Sequence, residues 1–151
     1  MDVGDKVGDL AGVDETGAEL RFSDLLAKGP LVVFFYPAAM TYGCTKESCH
    51  FRDLAEEFAA VGAGIVGVSA DDVAKQAQFS AKHTLGFPLV ADTDRSIAEA
   101  FGVRRRRGPN KRSTFVVGSD HTVIARIDSE FAMGRHADQA LEALRSATNP
   151  A

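Results

Sequence analysis

The sequence predicts an α/β fold, a mixed central sheet flanked by helices with a hairpin at the N-terminus, on three observations. Leu31-Val-Val-Phe-Phe-Tyr36 and Gly64-Ile-Val-Gly-Val-Ser-Ala70 are apolar runs of strand length with no polar alternation, as expected of strands covered on both faces. The segment between them has helical spacing, so residues 31 to 70 read as strand, helix and parallel strand. Farther on, Ser113 to Gly118 and His121 to Asp128 read as two strands joined through Gly118-Ser-Asp-His121, an antiparallel hairpin.

The remaining elements follow in order. Gly8 to Phe22 reads as two short extended pieces around the polar turn Asp14-Glu-Thr-Gly17, an N-terminal hairpin. Ser23 is placed to cap a short helix over Asp24-Leu25-Leu26, which Lys28-Gly29-Pro30 stops. From Cys44 to Val61 the apolar positions Phe51, Leu54, Ala55 and Phe58 mark one helical face. Asp71 and Asp72 precede a helix from Val73 to His83, since acidic residues are favoured at helix starts. Phe87 to Val90 is a short strand with its proline near the beginning, and Asp92 or Thr93 caps a helix through Ala100 that Gly102 ends. Gly134 to Ala147 forms the last helix, with Ala137, Ala140, Leu141 and Leu144 on one side, and residues 148–151 are expected to fray. No repeat or long linker divides the chain, so residues 1–151 read as a single domain, compatible with a thioredoxin-like fold.

Composition excludes little beyond the extremes. At 151 residues, with 45% apolar and 25% charged side chains, the chain can bury a core without staples. A net charge of −4 gives no global attraction to nucleic acid or to anionic membrane. The start, Met-Asp-Val-Gly-Asp-Lys, is not a basic stretch leading into an apolar one, and no run approaches a membrane span; a cytoplasmic location is expected.

The chemistry concentrates between Pro37 and Phe51. The buried strand ends at Pro37, and Cys44, one of only two cysteines, follows just as helical spacing begins, at a strand-to-helix turn. Ligands of open α/β sheets bind beyond the carboxyl ends of strands. A thiol in a helix's first turn also meets unpaired backbone N–H groups and the positive end of the macrodipole, which favour thiolate over thiol. Two packed thiols are the alternative. Cys49 lies five residues on, which along a helix separates the Cα atoms by about 8.5 to 9 Å. A disulfide needs them within about 7 Å. The pair therefore cannot bond until the helix start unwinds, which makes the segment a switch between a folded state for attack and an unwound state for reaction with Cys49.

Phe34-Phe-Tyr-Pro37, Thr41-x-x-Cys44-Thr-Lys-Glu47 and Cys49-x-Phe51-Arg-Asp53 together resemble a peroxiredoxin, of the Q-type group also called bacterioferritin comigratory protein, and the resemblance extends over nearly the whole chain. It implies a thioredoxin-type fold and a thiol peroxidase acting on hydrogen peroxide and organic hydroperoxides, with Cys44 peroxidatic and Cys49 resolving. Thiolate attack on an O–O bond puts negative charge on both oxygens, which calls for donors aimed at them. Thr41 can offer a hydroxyl, or serve as a plain N-cap, and the N–H groups of Gly43 and Cys44 lie at the helix start, where glycine lets backbone approach a ligand. By the resemblance Pro37 shields the thiolate from water, and Arg112 in Arg-Ser-Thr-Phe115 matches the active-site arginine, a fixed fork of donors that stays charged. Glu47 matches a position that orients this arginine; otherwise it is an ordinary surface glutamate. The sulfenic acid formed on Cys44 condenses with Cys49, and an external dithiol, thioredoxin by analogy, reduces the disulfide. Tyr42 stands where the family commonly has proline, and Ala38, Ala39 and Met40 where it has charged or aromatic residues, which bears on loop rigidity and substrate preference.

Other signals are weaker. Arg104 to Arg107 with Lys111 form a basic block, read as a solvated loop between helix and strand rather than a nucleic-acid site, or as a surface attractive to an acidic reductant. His50, His83, His121 and His136 lack metal-site spacing, and no glycine-rich phosphate loop follows a strand, so no cofactor is expected. The related assemblies are monomers or homodimers. A redox-regulated binding protein using the same cysteine pair is the competing reading; a disulfide oxidoreductase is disfavoured by the absence of Cys-x-x-Cys.

Overall fold

The computed structural model describes residues 1–39, 41–130 and 133–148. Its elements run β1 (Ala11–Val13), β2 (Glu19–Arg21), α1 (Phe22–Leu26), β3 (Leu31–Phe35), α2 (Tyr42–Asp53), α3 (Ala55–Ala60), β4 (Gly64–Ser69), α4 (Val73–His83), β5 (Leu89–Ala91), α5 (Ser96–Phe101), β6 (Ser113–Val117), β7 (Val123–Asp128) and α6 (Met133–Thr148). Among the described residues the central sheet has strand order β5-β4-β3-β6-β7, parallel from β5 to β3 and antiparallel from β3 to β7. β1 and β2 pair as the expected hairpin. No helix among the described residues is long and apolar enough to cross a membrane.

The apolar run of β3 is explained by its position at the middle of this sheet. Successive side chains of a strand point to opposite faces. Val32, Phe34 and Tyr36 enter a core with Phe51, Phe58 and Phe79, while Leu31, Val33 and Phe35 enter another with Phe22, Phe101 and Phe115. On the first side Phe34 stacks on Phe51 with ring centroids 4.4 Å apart. That stack needs Gly67 opposite Phe34, because a Cβ there would meet the Phe34 ring and Leu89 at 2.8 Å each. Ala137, Ala140, Leu141 and Leu144 of α6 are buried in the same layer, as their spacing predicts.

Three local expectations are corrected. The helix read from Cys44 to Val61 is two helices: at Leu54 (φ −98°, ψ 10°) the N–H is shared between the His50 and Phe51 carbonyls, and α3 begins afresh. Ser23 does not cap α1, which starts at Phe22; its hydroxyl donates to Asp9 Oδ1 at 2.8 Å instead. Asp92 does serve α5, but from four residues upstream, its carboxylate accepting from the N–H groups of Ile97 and Ala98 at 3.1 and 2.9 Å. Residues 149–151, within the segment expected to fray, lie outside the described residues, while α6 continues through Thr148.

Candidate active site

The site is assembled where β3 ends. Because β6 runs antiparallel to β3, Ser113 at its start pairs with Phe35 at the end of β3, which puts the preceding Arg112 beside the turn into α2. The parallel neighbour β4 contributes from the other side. Ser69, its last residue, donates its hydroxyl to Asp71 Oδ2 at 2.6 Å, and Asp71 Oδ2 accepts the Ala39 N–H at 2.6 Å. Gln76 of α4 ties this corner to the core, donating to Ser69 Oγ and to the Val90 carbonyl at 2.9 Å each and accepting from the Tyr36 hydroxyl. Burial raises the Tyr36 pKa, so the phenol stays a donor. Asp71, read as a helix-start residue, is thus an anchor for the loop that carries Pro37 and Ala39.

α2 begins after Thr41, whose extended backbone (φ −81°, ψ 156°) occupies the N-cap position and whose carbonyl accepts from the Thr45 N–H at 2.9 Å. Its side chain makes no cap bond; the hydroxyl donates to the Ala38 carbonyl at 2.8 Å. Cys44 therefore sits in the first helical turn, where the N–H groups of Gly43 and Cys44 have no acceptor within the helix. Pro37 and Gly43 are half-buried. Met40 lies outside the described residues, as does the side chain of Tyr42, so the departures noted there have no structural account.

Cys44 is fully buried within the apolar layer that includes Tyr36 and Phe51. It is not isolated among hydrocarbon: Arg112 Nη2 donates to its Sγ at 3.4 Å, and Arg112 Nη1 donates to Glu47 Oε1 at 2.9 Å. Glu47 follows Cys44 by three residues and so shares its helix face, which lets one guanidinium fork reach both. The surface reading of Glu47 is wrong, because the residue is 0% exposed. Burial pushes its carboxyl from 4.5 up to about 8, against the opposing pull of the Arg112 charge and hydrogen bond. Burial likewise works against the charge on Arg112, but Glu47 and Cys44 more than offset it and hold the guanidinium pKa above its ordinary value. Behind the pair, Arg112 is fixed by its backbone: its N–H donates to Glu130 Oε1 at 3.1 Å, and that same oxygen accepts from Arg105 Nη2 at 2.6 Å.

His136 on α6, which sequence spacing gave no reason to single out, joins this cluster. It is fully buried, with Nε2 2.8 Å from the Ser129 carbonyl and 3.5 Å from Glu47 Oε2, and Nδ1 2.8 Å from Thr114 Oγ1. Burial lowers its pKa. Only tertiary pairing brings α6 to α2, so no local pattern could have found it.

Cys49 is half-buried and free, as is Cys44. It lines an open cavity of about 420 Å³ with Lys46, His50, Asp53, Gly134 and Asp138, and the His50–Asp138 contact of 2.8 Å bridges α2 to α6 at its edge. Both cysteines belong to the uninterrupted helix α2, so the helical spacing of about 8.5 to 9 Å separates their Cα atoms. In the basic block Arg104 pairs with Glu99 at 3.3 Å and Arg105 with Glu130, within a loop between α5 and β6 as expected. Among the described residues no three His, Cys, Asp or Glu side chains are grouped as a metal ion requires.

Residues 3–126 match the model of the AhpC/TSA family. The chain is 51% identical over 150 residues, 97% of each sequence, to a putative peroxiredoxin of Mycobacterium tuberculosis. It is 36% identical over 153 residues to peroxiredoxin Bcp of Bacillus subtilis, covering 97% of this chain and 94% of that one. The crystal structure of peroxidoxin BcpB from Mycobacterium tuberculosis superposes with a TM-score of 0.94 at 51% identity, covering 97% of each chain. The bacterioferritin comigratory protein of Xanthomonas campestris, described with alkyl peroxide reduction activity, superposes with a TM-score of 0.89 at 31% identity, covering 99% of this chain and 100% of that one.

Proposed function

The chain belongs to the AhpC/TSA family and is a thiol-dependent peroxidase of the peroxiredoxin type, and from that premise we propose that Cys44 attacks the peroxide and Cys49 resolves the product. The contact of Arg112 Nη2 with Cys44 Sγ at 3.4 Å, braced by Glu47, is the observation that carries this assignment. The Cys44 thiolate attacks the terminal oxygen of the hydroperoxide; an S–O bond forms, the O–O bond breaks, and the departing alkoxide or hydroxide takes a proton to leave as alcohol or water. Sulfur is oxidised to the sulfenic acid and the peroxide is reduced by two electrons. Arg112 and the first-turn N–H groups of Gly43 and Cys44 supply the donors where charge grows on both oxygens, joined by the Thr41 hydroxyl when it turns from the Ala38 carbonyl. Pro37 brings no N–H and keeps water from the sulfur.

Cys49 then attacks the sulfenic sulfur, forming the Cys44–Cys49 disulfide as hydroxide leaves and is protonated to water. Helical geometry keeps the two apart until the start of α2 unwinds, so resolution follows unfolding of that turn. A thioredoxin-like dithiol returns both sulfurs to thiols. The physiological setting is a reducing one, the cytoplasm, in which residues 1–151 act as one thioredoxin-like domain, as monomer or homodimer, on hydrogen peroxide and organic hydroperoxides.

Peroxide consumption coupled to a thioredoxin system tests the assignment. Cys44→Ser is expected to abolish consumption, and Cys49→Ser to form one sulfenic acid per chain without sustained turnover. Continued turnover by Cys44→Ser would refute it.

A further inference from the structure

Buried polar groups need partners, and the Glu47 carboxylate has one for each oxygen only if His136 is counted. Oε1 accepts from Arg112, whereas Oε2 has no hydrogen-bond partner among the described residues and lies 3.5 Å from His136 Nε2. The protonation of that imidazole follows from its neighbours. The Ser129 carbonyl can only accept, so the Nε2 atom 2.8 Å from it carries a hydrogen. Burial opposes a second proton, so Nδ1 accepts from the Thr114 hydroxyl at 2.8 Å. Thr114 thereby fixes the tautomer that donates Nε2–H to the Ser129 carbonyl, with Glu47 Oε2 3.5 Å from the same nitrogen.

We propose, on the reading that Cys44 reduces peroxides, that His136 is a positioning residue for that reaction. Its Nε2, whose hydrogen goes to the Ser129 carbonyl, lies 3.5 Å from Glu47 Oε2, and the positive N–H edge of the ring keeps the carboxylate turned to brace the Arg112 fork against Cys44. The charged groups around the imidazole set its behaviour. Glu47 faces it from α2; Arg112, beside β6, opposes its protonation, while Asp128 at the end of β7 and Glu130 just beyond favour it. A neutral imidazole that only donates braces the carboxylate without cancelling its charge, which leaves that charge available to Arg112.

Removing the donor makes ionised Glu47 harder to form, so the group must be brought to higher pH before it can brace Arg112. The test is kcat/KM for hydrogen peroxide from pH 5 to 9, with thermal unfolding, on the wild type, His136→Leu, His136→Gln and Thr114→Val. His136→Leu is expected to move the acid limb of the profile up by about one pH unit, with a deficit in kcat/KM of about threefold near pH 8 that narrows on either side. His136→Gln, whose amide N–H reaches the place of Nε2, is expected to restore both. Thr114→Val, which frees the tautomer, is expected to move the limb in the same direction as His136→Leu, and it carries the test if the leucine variant does not fold. A loss in His136→Leu that is equal at every pH, no rescue by His136→Gln, or a Thr114→Val profile superposable on that of the wild type would overturn the proposal. A wild type inert toward peroxide would instead refute the functional reading on which it stands.

Discussion

Replacing Glu47 by glutamine separates what the carboxylate does for folding from what it does for Arg112. Burial raises its pKa from the ordinary 4.5 to about 8, so the sign of its contribution is unusual for an acid. A group whose folded pKa is raised contributes stability that is fully present below its unfolded pKa and lost as pH climbs through the folded one. At about 1.4 kcal/mol per pH unit over that window, the loss is on the order of 5 kcal/mol. A chain of this size changes Tm by about 2 to 4 °C per kcal/mol. The Tm of Glu47→Gln relative to wild type is therefore expected to rise by on the order of 10 °C between pH 5 and pH 9. Activity should move the opposite way. The amide oxygen still accepts from Arg112 Nη1, but a neutral acceptor makes a bond roughly half as strong as a charged one, so the variant should fall about tenfold behind in kcat/KM at pH 9. Near pH 6, where the wild-type carboxyl is itself protonated, the two should converge. Thermal unfolding and stopped-flow peroxide reduction across the same buffers measure both. A Tm difference independent of pH, or a rate deficit of constant size from pH 6 to 9, would show that Glu47 is not a buried, ionising brace.

Oxidation should melt the start of α2. With Cys44 and Cys49 both inside the helix from Tyr42 to Asp53, the disulfide cannot close over intact turns. Hydrogen exchange should show amides 45 to 49 losing protection in the oxidised protein while β3 and β4 keep theirs; full protection across those amides would defeat the switch. Phe51→Ala should cost about 3 to 5 kcal/mol of unfolding free energy, since the ring is fully buried and stacked on Phe34. Equilibrium urea unfolding measures it, and a change below about 1 kcal/mol would mean that this stack does not anchor α2.

The extent to which the sequence foretold this arrangement depends on where each residue finds its partners. β3 and β4 were legible because a strand covered on both faces must be apolar throughout, and Cys44 because a lone cysteine between such a strand and a helical pattern falls at the sheet's carboxyl edge. The break at Leu54 was not, because no glycine or proline marks it and the apolar spacing runs on through Phe58. Ser23 misled because its partner, Asp9, lies on the other side of the hairpin. Arg112 could be chosen among its basic neighbours only through the family resemblance. What distinguishes it is the antiparallel pairing of β6 with β3, a long-range fact. Asp71 and His136 are the same case without a resemblance to help: each acts on a segment more than thirty residues away.

The residues that were hardest to read are also those that a fold built for stability alone would not keep. Glu47 and Arg112 are nearly inaccessible, at 0% and 6% side-chain exposure, beside a layer of mostly apolar side chains. Replacing such a pair with apolar side chains of similar size is often neutral or stabilising, so its presence calls for another explanation. The geometry supplies one. A guanidinium placed against a buried sulfur needs a hydrogen-bond acceptor that remains when the sulfur is oxidised, and Glu47 on the same helix face is that acceptor. On the proposed unwinding of α2 that would bring Cys44 to Cys49, the turn carrying Glu47 would move as well, and Arg112 would lose both partners in one motion. On that proposal the pair favours the helical, reduced state, and refolding after reduction would restore it together with the site.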